Sequence, residues 1–120
     1  MENYIKEIMN ELGMKRHVKG YRYLIEMVEL HIKKPTWKMM DKYVVVASNN
    51  NSTASRVERA LRHVSHNTER IQKYFDIDYK ATNTVVVHLI AERAEEYKEI
   101  LENRRKEKWK IQELREEWTI

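Results

Sequence analysis

The 120-residue chain has no cysteine, two glycines, one proline and one phenylalanine, and each scarcity excludes something. Without cysteine there is no disulfide framework, no thiol nucleophile and no cysteine-ligated zinc, which agrees with a reducing cytoplasm. Two glycines and one proline leave little material for the tight turns of a multi-stranded β-fold. No long uncharged run is present, and Glu2, Glu7 and Glu11 occupy the amino end, so neither a secretory leader nor a membrane span is expected. A glycine-rich phosphate loop, a His-Glu-x-x-His pair and a nucleophile elbow are all missing. The expectation is a cytoplasmic protein that is not an enzyme, needs no cofactor and has no membrane partner.

What the chain does have is charge and apolar residues in even measure. Charged residues make up 35% and hydrophobic ones 42%, a mixture that suits solvated helices around a core better than disorder. The net charge of +4 is unevenly placed. Residues 1–35 hold seven basic and five acidic groups, residues 36–81 eight and five, and residues 82–120 eight and nine. The surplus in the first two thirds gives a modest field of the sign that phosphate contact requires.

Apolar residues recur at helical spacing along the chain. Tyr4, Ile5, Ile8, Met9 and Leu12 mark a helix over 2–12 that Gly13 stops. A second begins near His17 or Lys19 and runs to about Lys33, with Tyr21, Leu24, Ile25, Val28 and Ile32 inward; Pro35 ends it. A third spans Thr36 to Ser48 on Trp37, Met40, Tyr43, Val44 and Ala47, and a short fifth spans Thr68 to Phe75 on Ile71, Tyr74 and Phe75. Val85-Val86-Val87 favours strand by β-branching and with Ile77–Tyr79 allows a small hairpin wing, yet Leu89, Ile90, Ala94 and Tyr97 continue at helical spacing. One long last helix starting near Asn83 is the preferred reading.

The fourth helix, within Ser52 to His66, is the centre of the chain. Ala54, Val57, Ala60, Leu61 and Val64 fall in one arc about 120° wide, while Ser55, Arg59, Arg62 and His66 line the other side. Arg56 and Glu58 sit on the two shoulders. Asn49-Asn50-Asn51-Ser52 is a polar break before it, with Ser52 or Thr53 as the cap. A helix, a short polar turn and a helix with an arginine-lined outer face make a helix-turn-helix, although the pattern alone also fits a plain αα-hairpin.

The run Thr53-Ala54-Ser55-Arg56-Val57-Glu58-Arg59-Ala60-Leu61-Arg62-His63 resembles, almost letter for letter, the recognition helix of the DNA-binding effector (C-terminal) domain of the stage 0 sporulation protein A response-regulator family. Glu11-Leu12-Gly13 and His17-Val18-Lys19-Gly20-Tyr21-Arg22-Tyr23-Leu24 support the resemblance upstream, Lys80-Ala81-Thr82-Asn83 and Ile90-Ala91 downstream, over roughly residues 5–97. It implies an all-α, compact domain of about six helices that binds double-stranded DNA at a T-G-x-C-G-A-A type of site and regulates transcription, with RNA polymerase as a further partner. It also implies that Arg56 and Glu58 touch base edges, for which Arg suits guanine O6/N7 and Glu suits cytosine N4. Thr53, Ser55, Arg59 and Arg62 are then placed for phosphates, and His17 and Lys19 add a phosphate contact from the second helix. The chain departs from the family in a shorter segment between Ile32 and Trp37 and in Val44, where proline is frequent. No receiver domain is expected ahead of Ile5, and the extension after Tyr97 has no counterpart.

That extension, residues 98–120, is a charged helical segment beside a DNA-binding domain spanning 1–97. Its apolar residues include Ile100, Leu101, Trp109, Ile111, Leu114 and Trp118, but Glu102 to Lys108 contains none, an interruption in any heptad seam. It reads either as a helix returning to its own domain or fraying, or as an element for a homodimer or tandem binding. A protein-interaction adaptor acting through 92–120, with DNA binding lost, is the alternative function. Of His17, His31, His63, His66 and His88, only His63 and His66 are near in sequence, with no carboxylate or thiol to complete a set, so no metal is expected. Trp37, Trp109, Trp118 and seven tyrosines serve packing better than base stacking.

Overall fold

The computed structural model describes residues 1–118, which form six helices and no strand. They are α1 (Glu2–Glu11), α2 (Lys19–Lys33), α3 (Met39–Asn49), α4 (Ala54–Val64), α5 (Thr68–Phe75) and α6 (Asn83–Trp118). The chain is all-α, as its periodicity predicts. Among the described residues no helix is long and apolar enough to cross a membrane.

α2 is the hub. Gly20, Tyr21, Tyr23, Leu24, Ile25, Met27 and Val28 are all buried, because α1, α3, α4 and α6 all pack against it. The sequence pattern identifies Tyr21, Leu24, Ile25 and Val28 but misses Tyr23 and Met27, since a one-sided stripe is the wrong template for a helix surrounded by others. Ile5, Ile8 and Met9 of α1 and Val86, Val87, Ile90, Ala91 and Ala94 of α6 complete that core. Each fully buried aliphatic side chain contributes about 1.5–3 kcal/mol by leaving water.

The helix ends follow their local chemistry. α1 closes at Gly13, whose φ of +75° lets the Met14 N–H reach the Met9 carbonyl at 3.0 Å. α5 is capped by Asn67, whose side chain accepts from the Arg70 N–H at 3.2 Å. α6 starts at Asn83, but the Thr82 hydroxyl is its cap, accepting from the Val85 N–H at 3.4 Å. Val85–Val87 are helical, so the hairpin wing does not form: Val86 and Val87 are buried at α6's apolar face, where helix packing outweighs β-branching.

α3 differs from the expected Thr36 to Ser48 helix in both start and face. Residues after Pro35 form a turn, in which the Trp37 N–H reaches the Lys34 carbonyl at 3.2 Å, and the helix begins at Met39. The buried residues are Lys42, Tyr43, Val46 and Ala47, while Trp37, Met40 and Val44 are exposed. The stripe is turned because Lys42 goes inward, its Nζ 2.8 Å from His31 Nδ1. A buried lysine is not predictable from an apolar pattern.

α6 continues unbroken past Tyr97 as part of a 36-residue helix, about 54 Å long at 1.5 Å per residue. Residues 98–118 are exposed throughout, so this stretch does not fold back on its own domain. The last two residues of the extension lie outside the described residues.

Candidate nucleic-acid interface

The turn between α3 and α4 is built by Asn50 and Asn51. Asn51 takes a φ of +50°, a left-handed conformation asparagine tolerates, and this brings the Ser52 N–H to the Ala47 carbonyl at 2.9 Å. The Asn50 side chain donates to the Val46 carbonyl at 2.8 Å and to Glu26 Oε2 on α2 at 2.6 Å. The turn is thereby tied to the hub helix. Thr53 then caps α4, its hydroxyl accepting from the Arg56 N–H at 3.3 Å. A hydroxyl used this way keeps its own proton to donate outward.

α4 is held on three sides. Val57, Leu61 and Val64 are buried beneath it. From α2, Gly20 approaches so closely that a Cβ at this position would lie 2.2 Å from the Ala60 carbonyl oxygen. From α6, Asn83 donates through Nδ2 to the Glu58 carbonyl at 3.0 Å and to the Tyr43 hydroxyl of α3 at 3.2 Å. Asn83 thus joins three helices at one point, and burial raises the pKa of the Tyr43 hydroxyl it meets. The sequence places Asn83 only at the start of the last helix; nothing in the pattern shows that its amide turns to α4.

The outer face stays open. Thr53, Ser55, Arg56, Arg59, Arg62, His63 and His66 are exposed, and Glu58 is half-buried. Ser55, Arg59 and Arg62 share the outward ridge, while Arg56 and Glu58 point about 160° apart around the helix axis. Glu58 forms an ion pair with Arg62 one turn on. That pair directs the carboxylate into a groove of about 650 Å³ between α3, α4 and the start of α6, whose lining includes Met40, Tyr43, Lys80, Thr82 and Thr84. The groove places Lys80, Thr82 and Thr84 beside α4, a neighbourhood that sequence spacing does not reveal. His17 and Lys19 are exposed at the amino end of α2, whose Gly20 packs against the carboxy-terminal half of α4.

His63 and His66 stack their rings at 6.1 Å, with His66 Nδ1 2.8 Å from the His63 carbonyl. Among the described residues no three His, Asp or Glu side chains converge at metal-ligand spacing. A second polar cluster lies behind α3. Lys42 meets His31, His31 Nε2 lies 3.4 Å from His88 Nδ1, and His88 Nε2 lies 3.3 Å from Glu92 Oε2. Burial lowers the His31 pKa, with Lys42 and His88 adding to the effect, and burial lowers that of Lys42.

A capped helix with an arginine ridge, standing open after an asparagine turn and fixed by the preceding helix, is a helix-turn-helix in form. Over residues 5–94 the sequence matches the family described as sporulation initiation factor Spo0A C terminal. The chain belongs to that family. Three quarters of the 120 residues lie inside the match, including α1 from Ile5 onward, α2 to α5 and the part of α6 that carries its buried face. By family the chain is a DNA-binding, transcription-regulating domain of sporulation-regulator type.

Proposed function

We propose that this Spo0A-type domain recognises a specific duplex by laying α4 in the major groove. The observation that carries the reading is the open ridge of Ser55, Arg59 and Arg62 on a helix immobilised by Gly20, Asn83 and the Thr53 cap. Recognition helices of this class present their amino-terminal residues to base edges, and Arg56 occupies that end. Arg56 pairs with guanine O6/N7, and Glu58 accepts from cytosine N4 at the groove's other wall. Thr53, Ser55, Arg59 and Arg62 take phosphate oxygens; Arg62 has five N–H donors, so its pairing with Glu58 leaves donors for DNA. His17 and Lys19 extend the phosphate track from α2.

The protein would act without a cofactor, in the cytoplasm, and on two half-sites, because a single module buries too little surface for high specificity. RNA polymerase is the partner through which a bound copy would change transcription. The alternative, an adaptor acting through residues 92–120, is favoured by one observation, the full exposure of residues 98–118.

Fluorescence anisotropy at several salt concentrations, with a T-G-x-C-G-A-A duplex and a scrambled one, tests the proposal. A cognate preference of ~10³ or more supports a sequence reader. Equal, steeply salt-dependent binding to both leaves a non-specific binder, and absence of binding at low salt rejects the DNA reading in favour of the adaptor.

A further inference from the structure

We propose that residues 97–118 of α6 pair antiparallel with the same segment of a second copy of this chain, in the one register that sets Arg104 against the partner's Glu107. The inference rests on α6 and its junction with α1 and is independent of how α4 meets DNA.

Placed on a heptad, Tyr97, Ile100, Arg104, Glu107, Ile111, Leu114 and Trp118 occupy alternating a and d positions, within an arc about 100° wide. Ile100, Ile111, Leu114 and Trp118 are 49%, 50%, 56% and 89% exposed, too much apolar surface along one line for a helix meant to stay solvated. The charged interruption between Leu101 and Trp109 is therefore a polar layer in an otherwise apolar seam. Trp109 points away from that seam.

The two charges in the layer select both orientation and register. In an antiparallel pair, a positions face d positions. Centred between residues 105 and 106, Arg104 faces the partner's Glu107, Ile100 faces the partner's Ile111, and Tyr97 faces the partner's Leu114. The two-fold axis repeats each contact, so every charge has its counterion. A shift of one heptad either way sets Arg104 against an apolar residue and Glu107 against another, which buries charge without a partner and is strongly unfavourable. Parallel pairing stacks Arg104 on the partner's Arg104 and Glu107 on the partner's Glu107.

The root of the helix supplies a matching cavity. A shallow hollow of about 270 Å³ is lined by Tyr4, Glu7, Tyr97, Ile100, Leu101 and Arg104. In the proposed register the partner's Ile111 and Leu114 arrive at Ile100 and Tyr97, over this hollow. The seam thus runs from α6 into a site formed with α1, and the apolar end of each helix is covered by the base of the other.

Sedimentation equilibrium of the intact chain, loaded at up to ~200 µM, reads this directly. The mass is expected to rise from 14.7 kDa towards twice that value with concentration. Arg104→Glu and Glu107→Arg should each weaken the dimer by ~10-fold or more, and the two combined should restore it. Both side chains are exposed, so the fold is not at stake. A wild-type chain that stays at 14.7 kDa overturns the proposal. So does a dimer indifferent to the single reversals, which would pair in parallel or elsewhere, or one that the double reversal fails to rescue. None of these results alters the anisotropy outcome, so the two readings fail separately.

Discussion

Arg56 and Arg59 sit one turn apart on α4, both exposed, and have different tasks in this account. Arg56→Ala should remove about 1–3 kcal/mol of discrimination between cognate and scrambled duplexes, with little effect on the scrambled one. Arg59→Ala should weaken both duplexes alike and flatten the salt dependence by about one phosphate. Anisotropy titrations of the two variants across a salt series separate these patterns. Gly20 makes a prediction about the scaffold: Gly20→Ala forces a methyl into the Ala60 carbonyl and should cost about 1–3 kcal/mol, read as a lower urea midpoint with the helical circular-dichroism signal retained below it. Individual residues were unevenly legible. The α4 ridge followed from residue order alone, because an exposed helix displays its periodicity. Asn83 and Lys42 did not, because each is defined by a partner from another helix, and a polar residue facing inward looks in sequence like a polar residue facing out.

At the scale of elements, α2, α3 and α6 meet through the line Lys42, His31, His88 and Glu92. One proton assignment satisfies every contact: Lys42 donates to His31 Nδ1, His31 Nε2–H to His88 Nδ1, and His88 Nε2–H to Glu92. His31 must then be neutral. The folded His31 pKa lies below its ordinary value of 6.5, so the unfolded chain takes up the proton first. The contribution of His31 to stability is therefore fully present above about pH 6.5 and is lost as pH falls below it. Urea midpoints at pH 8, 6.5 and 5 should show this decline, and His31→Asn should flatten it. Element boundaries were largely readable from caps and stops such as Gly13 and Thr53. The face of α3 was not, because the apolar Trp37, Met40 and Val44 outscore the lysine that actually turns inward.

The whole molecule is a helix-turn-helix body from which α6 projects, giving extents of 65 × 31 × 28 Å. We propose that the body, residues 1–97, is the folding and DNA-reading unit and that residues 98–120 act in association. At concentrations where the full chain is monomeric, a chain ending at Tyr97 is expected to unfold at the same urea concentration as the full one and to bind a single half-site equally well. Loss of the fold on truncation would contradict that division. The family resemblance made the body legible in the sequence, whereas the extension has charges within its apolar seam, so only a continuous, exposed helix showed that those charges share a face with Ile100, Ile111 and Leu114. Whether α4 reads bases is decided at the pairing of Arg56 with guanine N7. Wild type and Arg56→Ala would be titrated against the T-G-x-C-G-A-A duplex with each guanine in turn replaced by 7-deazaguanine, which lacks that acceptor. One replacement should weaken wild type by ~10-fold and leave Arg56→Ala unchanged. Equal losses for both proteins at every guanine, or none for either, would contradict that pairing.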